Sequence, residues 1–188
     1  DDHQRSSVPN VYAAGDVAEG RDLVTGESAV HALEPTAMEQ GRVAGANMAG
    51  GDVAYRGSLL MNIVGVCDLE IASFGSWLDP GAEAVSALRA DRFAYRKLLW
   101  RGDRLVGAIL IGRASDVWTT NDLGMLKGLV QTGRPLGPWK SALSASPFDV
   151  KRAFVAAGTT GRLLPETILG RPSRAPEGLA GSRFEVQG

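Results

Sequence analysis

The stretches RFAYRKLLW (residues 92–100) and RLVGAILIG (residues 104–112) limit the choice of fold more than anything else in this chain. Both carry the period-two patterning of strands, and they are joined through Arg101-Gly102-Asp103-Arg104, whose Gly-Asp pair supplies a tight turn. Strands connected so closely pair antiparallel. In the first, Phe93, Tyr95, Lys97 and Leu99 point one way and Ala94, Arg96, Leu98 and Trp100 the other, which predicts one mostly buried face. Two further apolar runs, LLMNIVGVC and LEIASFGSW, lie on either side of Asp68 and read as two more strands. Leu123, Leu126, Leu129 and Val130 then keep helical spacing from a cap at Asn121 or Asp122 to a stop at Gly133. A short second helix starts at Ser146-Pro147 and carries Phe148, Phe154 and Val155. The fold class that follows is α+β, an antiparallel sheet with packed helices.

The front of the chain reads differently. VPNVYAAGD (residues 8–16) predicts a short strand over residues 11–14, started by the turn Pro9-Asn10 and stopped by Gly15-Asp16. A polar loop follows, then a helix from Glu34 to Met48, with Pro35 suited to its first turn and Gly50-Gly51 just past its end. Ala37, Gly41, Ala44 and Met48 form a narrow stripe of mostly small side chains along it, suited to close approach to a sheet or ligand. The change of pattern after residue 50 predicts a boundary. The expected organisation is a first unit over residues 1–52, a sheet-containing interface unit over 53–158 and a mobile tail over 159–188, where Pro, Gly and Arg accumulate without periodicity.

Composition excludes several classes of function. A net charge of −1 and a pI near 6.2 give no overall positive field for nucleic acid or an anionic membrane. The longest apolar runs fall well short of the roughly 20 residues a membrane helix needs. The single cysteine, Cys67, rules out an internal disulfide framework, and the two histidines have no zinc-ligand spacing, so no metal site is expected. A reducing, cytoplasmic setting fits this cysteine usage. Cys67 sits in an apolar stretch without a cationic neighbour and reads as a buried structural thiol, and no catalytic residue is assigned.

A strand that ends in Gly-Asp is chemically suited to a polyol phosphate: glycine lets the backbone approach a phosphate, and the carboxylate accepts hydrogen bonds from sugar hydroxyls. The helix N-terminus at Glu34-Pro35-Thr36 adds unpaired N–H groups and a positive dipole end. Candidate cofactor-binding residues are therefore Gly15, Asp16, Glu34, Pro35 and Thr36. His31, just before that helix, is placed as an ordinary loop histidine rather than a neighbour of the cofactor, and His3 as a surface residue.

The order Ser7-x-Pro9-x-Val11-Tyr12-Ala13-x-Gly15-Asp16, followed by the helix EPTAMEQGRVAGANMAG, resembles the last segment of the FAD domain in the pyridine nucleotide-disulfide oxidoreductase family. The resemblance implies that Asp16 holds the ribityl chain of FAD and that the backbone of residues 34–36 lies beside the pyrimidine edge of the flavin. MNIVGVCDLEIASFG is similar to the entry of the C-terminal domain in NADH oxidase-like and rubredoxin reductase-like members. FAYRKLLWRGDRLVGAILIG, with NDLGMLKGLVQTGRPLGPW, is similar to relatives of the nitrite reductase large subunit. The resemblance implies an intact protein that passes hydride from NAD(P)H to FAD and electrons onward. Within it, this chain is expected to supply one wall of the flavin pocket and a subunit interface.

The family also needs two Gly-x-Gly-x-x-Gly turns, and this sequence has neither, so upstream FAD and NAD domains are expected as partners and the separate chain is expected to be colourless and inactive. Without a cysteine pair or a His-Pro-Thr-Glu element, the resemblance points away from glutathione or lipoamide reductase chemistry, toward oxygen, a small redox protein or another internal centre. A homodimer and a small acidic electron-carrier protein are further expected partners. For the carrier, Arg92, Arg96, Lys97, Arg101, Arg104, Lys127, Arg134, Lys140, Lys151 and Arg152 are the candidate basic surface, against the simpler reading that they solvate the sheet and helix ends. Trp118, in the polar stretch SDVWTTND, is a candidate cover for a partner surface or the flavin edge. The other class of function consistent with the sequence is a non-catalytic dimerisation or docking module of a redox assembly.

Overall fold

The structure is a computed structural model that describes residues 1–158, with side chains described at all of these except 117 and 118. The expectation of a mobile tail, and that for the Trp118 side chain, lie outside the described residues.

Five strands form one antiparallel sheet: β3 (Met61–Val66), β4 (Leu69–Gly75), β5 (Glu83–Arg89), β6 (Ala94–Arg101) and β7 (Arg104–Arg113), in the order β3-β4-β7-β6-β5. The β6–β7 hairpin turns at Gly102, φ +61°, with Arg101 opposite Arg104, as the Gly-Asp pair requires. Alternation sorts the side chains. Ala72 and Phe74 of β4, Leu98 and Trp100 of β6, and Ala108 and Leu110 of β7 form one buried face. Helix α2 (Val117–Thr132) lays Leu126, Leu129 and Val130 on it, and α3 (Pro138–Ala145) and α4 (Val150–Ala156) add Leu143, Val150 and Ala153. Each fully buried leucine here contributes about 1.5–3 kcal/mol. Helix α2 comes so close to β7 that a Cβ at Gly112 would run into the Thr119 hydroxyl. Gly133, φ +58°, ends the helix as expected; its start lies one turn earlier than Asn121, at Val117.

One member of the buried face is an arginine. Arg96 is 2% exposed, and its guanidinium donates from Nη1 to the carbonyls of Tyr95 and Ile111 and from Nη2 to Thr119 Oγ1 and Asp122 Oδ2. The expectation that Arg96 belongs to a solvent-facing basic surface is corrected: strand parity puts it inward, and four acceptors compensate its charge. Of the other basic candidates, Arg101, Lys140 and Arg152 are held in ion pairs by Asp79, Glu83 and Asp149.

Residues 1–58 carry helix α1 (Glu34–Met48) and a two-stranded ladder of β1 (Gly20–Arg21) and β2 (Ser28–Ala29). Residues 11–14 belong to neither sheet. Their pairing is local, an Arg5↔Tyr12 bridge with Ser6 N–H donating to Val11 O and Ala13 N–H to Gln4 O. The ladder of a true strand requires a longer neighbour than residues 4–6 provide. Helix α1 has the expected bounds, but its buried face is Thr36, Gln40, Val43, Ala44 and Asn47, rotated from the small-residue stripe, with Met48 67% exposed. Cys67 is also corrected. It is exposed, at φ +46° beside Asp68 at φ +64°, in the two-residue turn between β3 and β4.

Candidate functional site

Gly15 and α1 are built against each other. Gly15 is buried at φ +80°, a left-handed conformation that favours glycine, and its amide donates to Gln40 Oε1 at 2.7 Å. A Cβ there would sit 3.2 Å from the Ala37 Cβ. The chain at residues 15–16 therefore lies on the first two turns of α1. Ala18 N–H donates back to Gly15 O, turning the chain so that Asp16 is exposed. The Asp16 carboxylate makes no hydrogen bond or ion pair among the described residues.

At the start of α1, Leu33 occupies the N-cap in an extended conformation, without a side-chain cap bond, and Pro35 removes one donor. The first-turn amides left over are Glu34 and Thr36, both of which lack an intrahelical acceptor. Glu34 and Pro35 are exposed, whereas the Thr36 side chain is buried, so Thr36 offers a ligand only its backbone. The structure thus joins Gly15 to α1 and leaves Asp16 and the first-turn backbone accessible. Exposed Val8, Val11, Val17, Val30 and Met38 surround them in sequence. An accessible, unpartnered carboxylate, an uncapped helix start and a glycine that admits close backbone approach fit the polyol and oxyanion chemistry of a flavin dinucleotide.

Two features escaped the sequence. Gln40, 1% exposed, is the acceptor that fixes Gly15, and Asn47 clasps both ends of its neighbourhood, donating to His3 O and Val53 O and accepting from Val53 N–H. Thr36, Gln40 and Asn47 follow helical spacing, so a polar stripe was the available signal. The second is His31, which is 5% exposed. Its Nε2 lies 3.0 Å from Asp22 Oδ2 and its Nδ1 2.7 Å from Ser58 Oγ. With a carboxylate as acceptor Nε2 is the donor, and a neutral ring then receives the Ser58 proton at Nδ1. The other Asp22 oxygen accepts from the amides of Val24 and Thr25, and the Ser58 backbone pairs with Arg21 and Leu23. These three side chains satisfy one another and pin the segment after α1 to the loop before it.

Burial also perturbs groups on the helices. Glu39 of α1 is pushed up by desolvation, against the lowering charges of Arg42, Arg56 and Lys127, and Lys127 of α2 is pushed down by its own burial. Asp122 is raised by desolvation although Arg96 beside it pulls the other way.

Residues 61–123, from β3 into α2, match the Rubredoxin NAD+ reductase C-terminal domain family. An NAD(P)H sulfur oxidoreductase (CoA-dependent) of Pyrococcus furiosus is 41% identical over 159 residues, 83% of this chain and 32% of that protein. The chain is similar to the C-terminal portion of pyridine nucleotide-disulfide oxidoreductases. A nitrite reductase [NAD(P)H] of Bacillus subtilis is 29% identical over 61% of this chain and 14% of its own length. Among solved structures, the NAD-dependent persulfide reductase from A. fulgidus aligns at 27% identity with a TM-score of 0.63, over 73% of this chain and 28% of that one. The chain therefore spans about a third, 32%, of the length of the Pyrococcus protein. The α+β fold expected from the sequence is that of the family's C-terminal domains. The acceptors in the names of the Pyrococcus and A. fulgidus proteins are sulfur and persulfide, a class absent from those inferred from the sequence. Among the described residues, no helix is long and apolar enough to cross a membrane.

Proposed function

We propose that this chain forms one wall of the FAD site in an NAD(P)H oxidoreductase and, through its sheet, a subunit interface. The observation that carries the first half is the junction of Gly15 with Gln40 and Ala37, which sets an unpartnered, exposed Asp16 beside the uncapped start of α1. In this reading Asp16 accepts hydrogen bonds from ribityl hydroxyls, and the backbone amides of Glu34 and Thr36 donate to electron-rich edges of the ring. Pro35 keeps that first turn short of a donor and fixes its φ. The flavin, when bound, supplies the two-electron chemistry between a nicotinamide and the acceptor; residues of this chain bind and orient it. Division into a flavin-domain portion over residues 1–52 and an interface unit over 53–158 belongs to the same proposal, as do the remaining FAD and NAD domains as partners.

The test is Asp16→Ala in the protein that carries this chain together with its dinucleotide-binding segments. Flavin content per polypeptide is expected to fall at least about tenfold, the scale for loss of charge-assisted hydrogen bonds, while Asp16→Asn retains part of it. Full retention of FAD by the alanine variant defeats the assignment.

A docking or dimerisation module is the second reading, and one observation favours it. On the face opposite α2, Val64, Ile71, Ile111, Tyr95 and Leu88 are in register and form an apolar row across all five strands. Val64 is 51% and Leu88 68% exposed.

A further inference from the structure

One end of the sheet gathers arginines. Arg89 closes β5, Arg92 follows it in the turn Ala90–Arg92, Arg96 lies near the start of β6, and Arg113 closes β7. Antiparallel order brings these strand ends together, and with Phe148 from the loop before α4 they line an open cleft of about 600 Å³.

Its two carboxylates are already engaged. Asp122 is bound to Arg96 at 3.1 Å, and Asp116 accepts the Thr119 hydroxyl at 2.8 Å. Among the described residues, neither Arg89 nor Arg113 has an ion-pair partner, and the contact of Arg92 with Asp91 is 3.9 Å long between two largely exposed side chains. Arg89 and Arg113 are instead placed by rings: Arg89 stacks 4.2 Å from the centre of Phe148 and Arg113 4.4 Å from that of Phe93. Arg96 adds a second guanidinium at 5.1 Å from Phe148. Stacking occupies the face of a guanidinium and leaves its rim of N–H donors free. One donor is stranded inside. Arg96 Nε has no partner among the described residues although the residue is 2% exposed.

We propose that this cleft is a binding site for the phosphoryl group of a small phosphorylated molecule. Four arginines against two engaged aspartates leave it with surplus positive charge, which a neutral or cationic ligand does not satisfy. Forked guanidinium donors lining one cleft from separate strands match a tetrahedral dianion with several acceptor oxygens better than a single planar carboxylate. The volume is within the range of small-molecule sites, about 300–1,000 Å³, and exceeds what a bare phosphate fills. Phe148 and Ala94 give the remainder apolar wall.

Titration calorimetry of the full chain at low ionic strength tests this, with phenyl phosphate and inorganic phosphate as probes. Saturable binding at one site is expected for both, weakened at least about tenfold by Arg89→Gln combined with Arg113→Gln, and largely kept by Arg113→Lys. Tighter binding of phenyl phosphate assigns the site to an organic ester, and equal binding assigns it to free phosphate. Arg89 and Arg113 are exposed and have no ion-pair partner among the described residues, so the variants are expected to stay folded with a melting curve close to that of the wild type. The proposal is overturned if neither probe saturates at millimolar concentration, or if the folded double variant binds them as the wild type does. None of Gly15, Asp16, Glu34, Pro35 or Thr36 lines the cleft, so either failure leaves the flavin reading standing.

Discussion

Gln40 shows how much rests on one side chain in the first unit. It is buried, and the amide of Gly15 has no other acceptor among the described residues, so Gln40→Ala strands a buried donor as well as opening space. Such a loss costs about 1–3 kcal/mol, and chemical denaturation should show a midpoint lowered accordingly. Flavin affinity of the intact protein should fall with it, because Gly15 positions Asp16. Glu39, one residue earlier, makes a prediction about pH. Burial raises its folded-state pKa above the ordinary 4.5. The folded state then holds the proton more tightly than the unfolded chain, so the favourable contribution is fully present below 4.5 and is lost as pH rises through the raised value. Glu39→Gln should flatten that part of the stability–pH curve. An unchanged slope as pH rises above 4.5 would show that Glu39 is solvated in the native state.

At the level of elements, the β3–β4 hairpin carries an unusual turn. Cys67 and Asp68 both have positive φ, the geometry of a two-residue turn that prefers Asn-Gly. Cys67→Asn with Asp68→Gly should stabilise the fold by about 0.5–1 kcal/mol, read as a rise in melting temperature. In the unaltered protein, Ellman's reagent should titrate one thiol without denaturant, and a thiol that reacts only after unfolding would contradict the exposed turn. The apolar run around Cys67 hid this, because turn chemistry usually announces itself through Gly or Asn and here does not. Strong patterns were legible: β4, β6, β7 and α1 follow from alternation, hairpin chemistry, and Pro and Gly at a helix's two ends. β5 was not, since EAVSALR is an edge strand whose residues are at most half-buried, and α3 is only 8 residues long. The small-residue stripe misjudged α1 because its buried face is largely polar, and polar burial has no hydrophobic period to read. For the site, the Gly15-Asp16 stop and the bounds of α1 were legible from motif and spacing, and strand parity alone turns Arg96 inward, whereas the packing of Gly15 on Ala37, the Gln40 clamp, the His31 network and the partners of Arg96 depend on contacts between residues distant in sequence.

For the whole molecule, the decisive asymmetry is between the two faces of the sheet. Antiparallel sheets commonly bury one face and solvate the other, which makes the solvated face polar. Here the second face carries the continuous row from Val64 to Leu88, with Val66 and Phe93, at 48% and 51% exposure, near its margins. An apolar surface of that extent, on a sheet face that no helix covers among the described residues, fits an interface. A second copy of the same face is the occupant that the flavoenzyme reading favours, because a symmetric pairing lets each row meet its own counterpart. Val64→Asp with Leu88→Asp tests this with little risk to the fold, since both side chains are mostly outside the core. Sedimentation analysis should show the wild-type chain as a dimer and the double variant as a folded monomer, the dimer constant weakened by about two orders of magnitude or more for desolvated charge at an apolar contact. A wild-type chain that stays monomeric at high concentration removes self-pairing and leaves the face to other domains of the same protein.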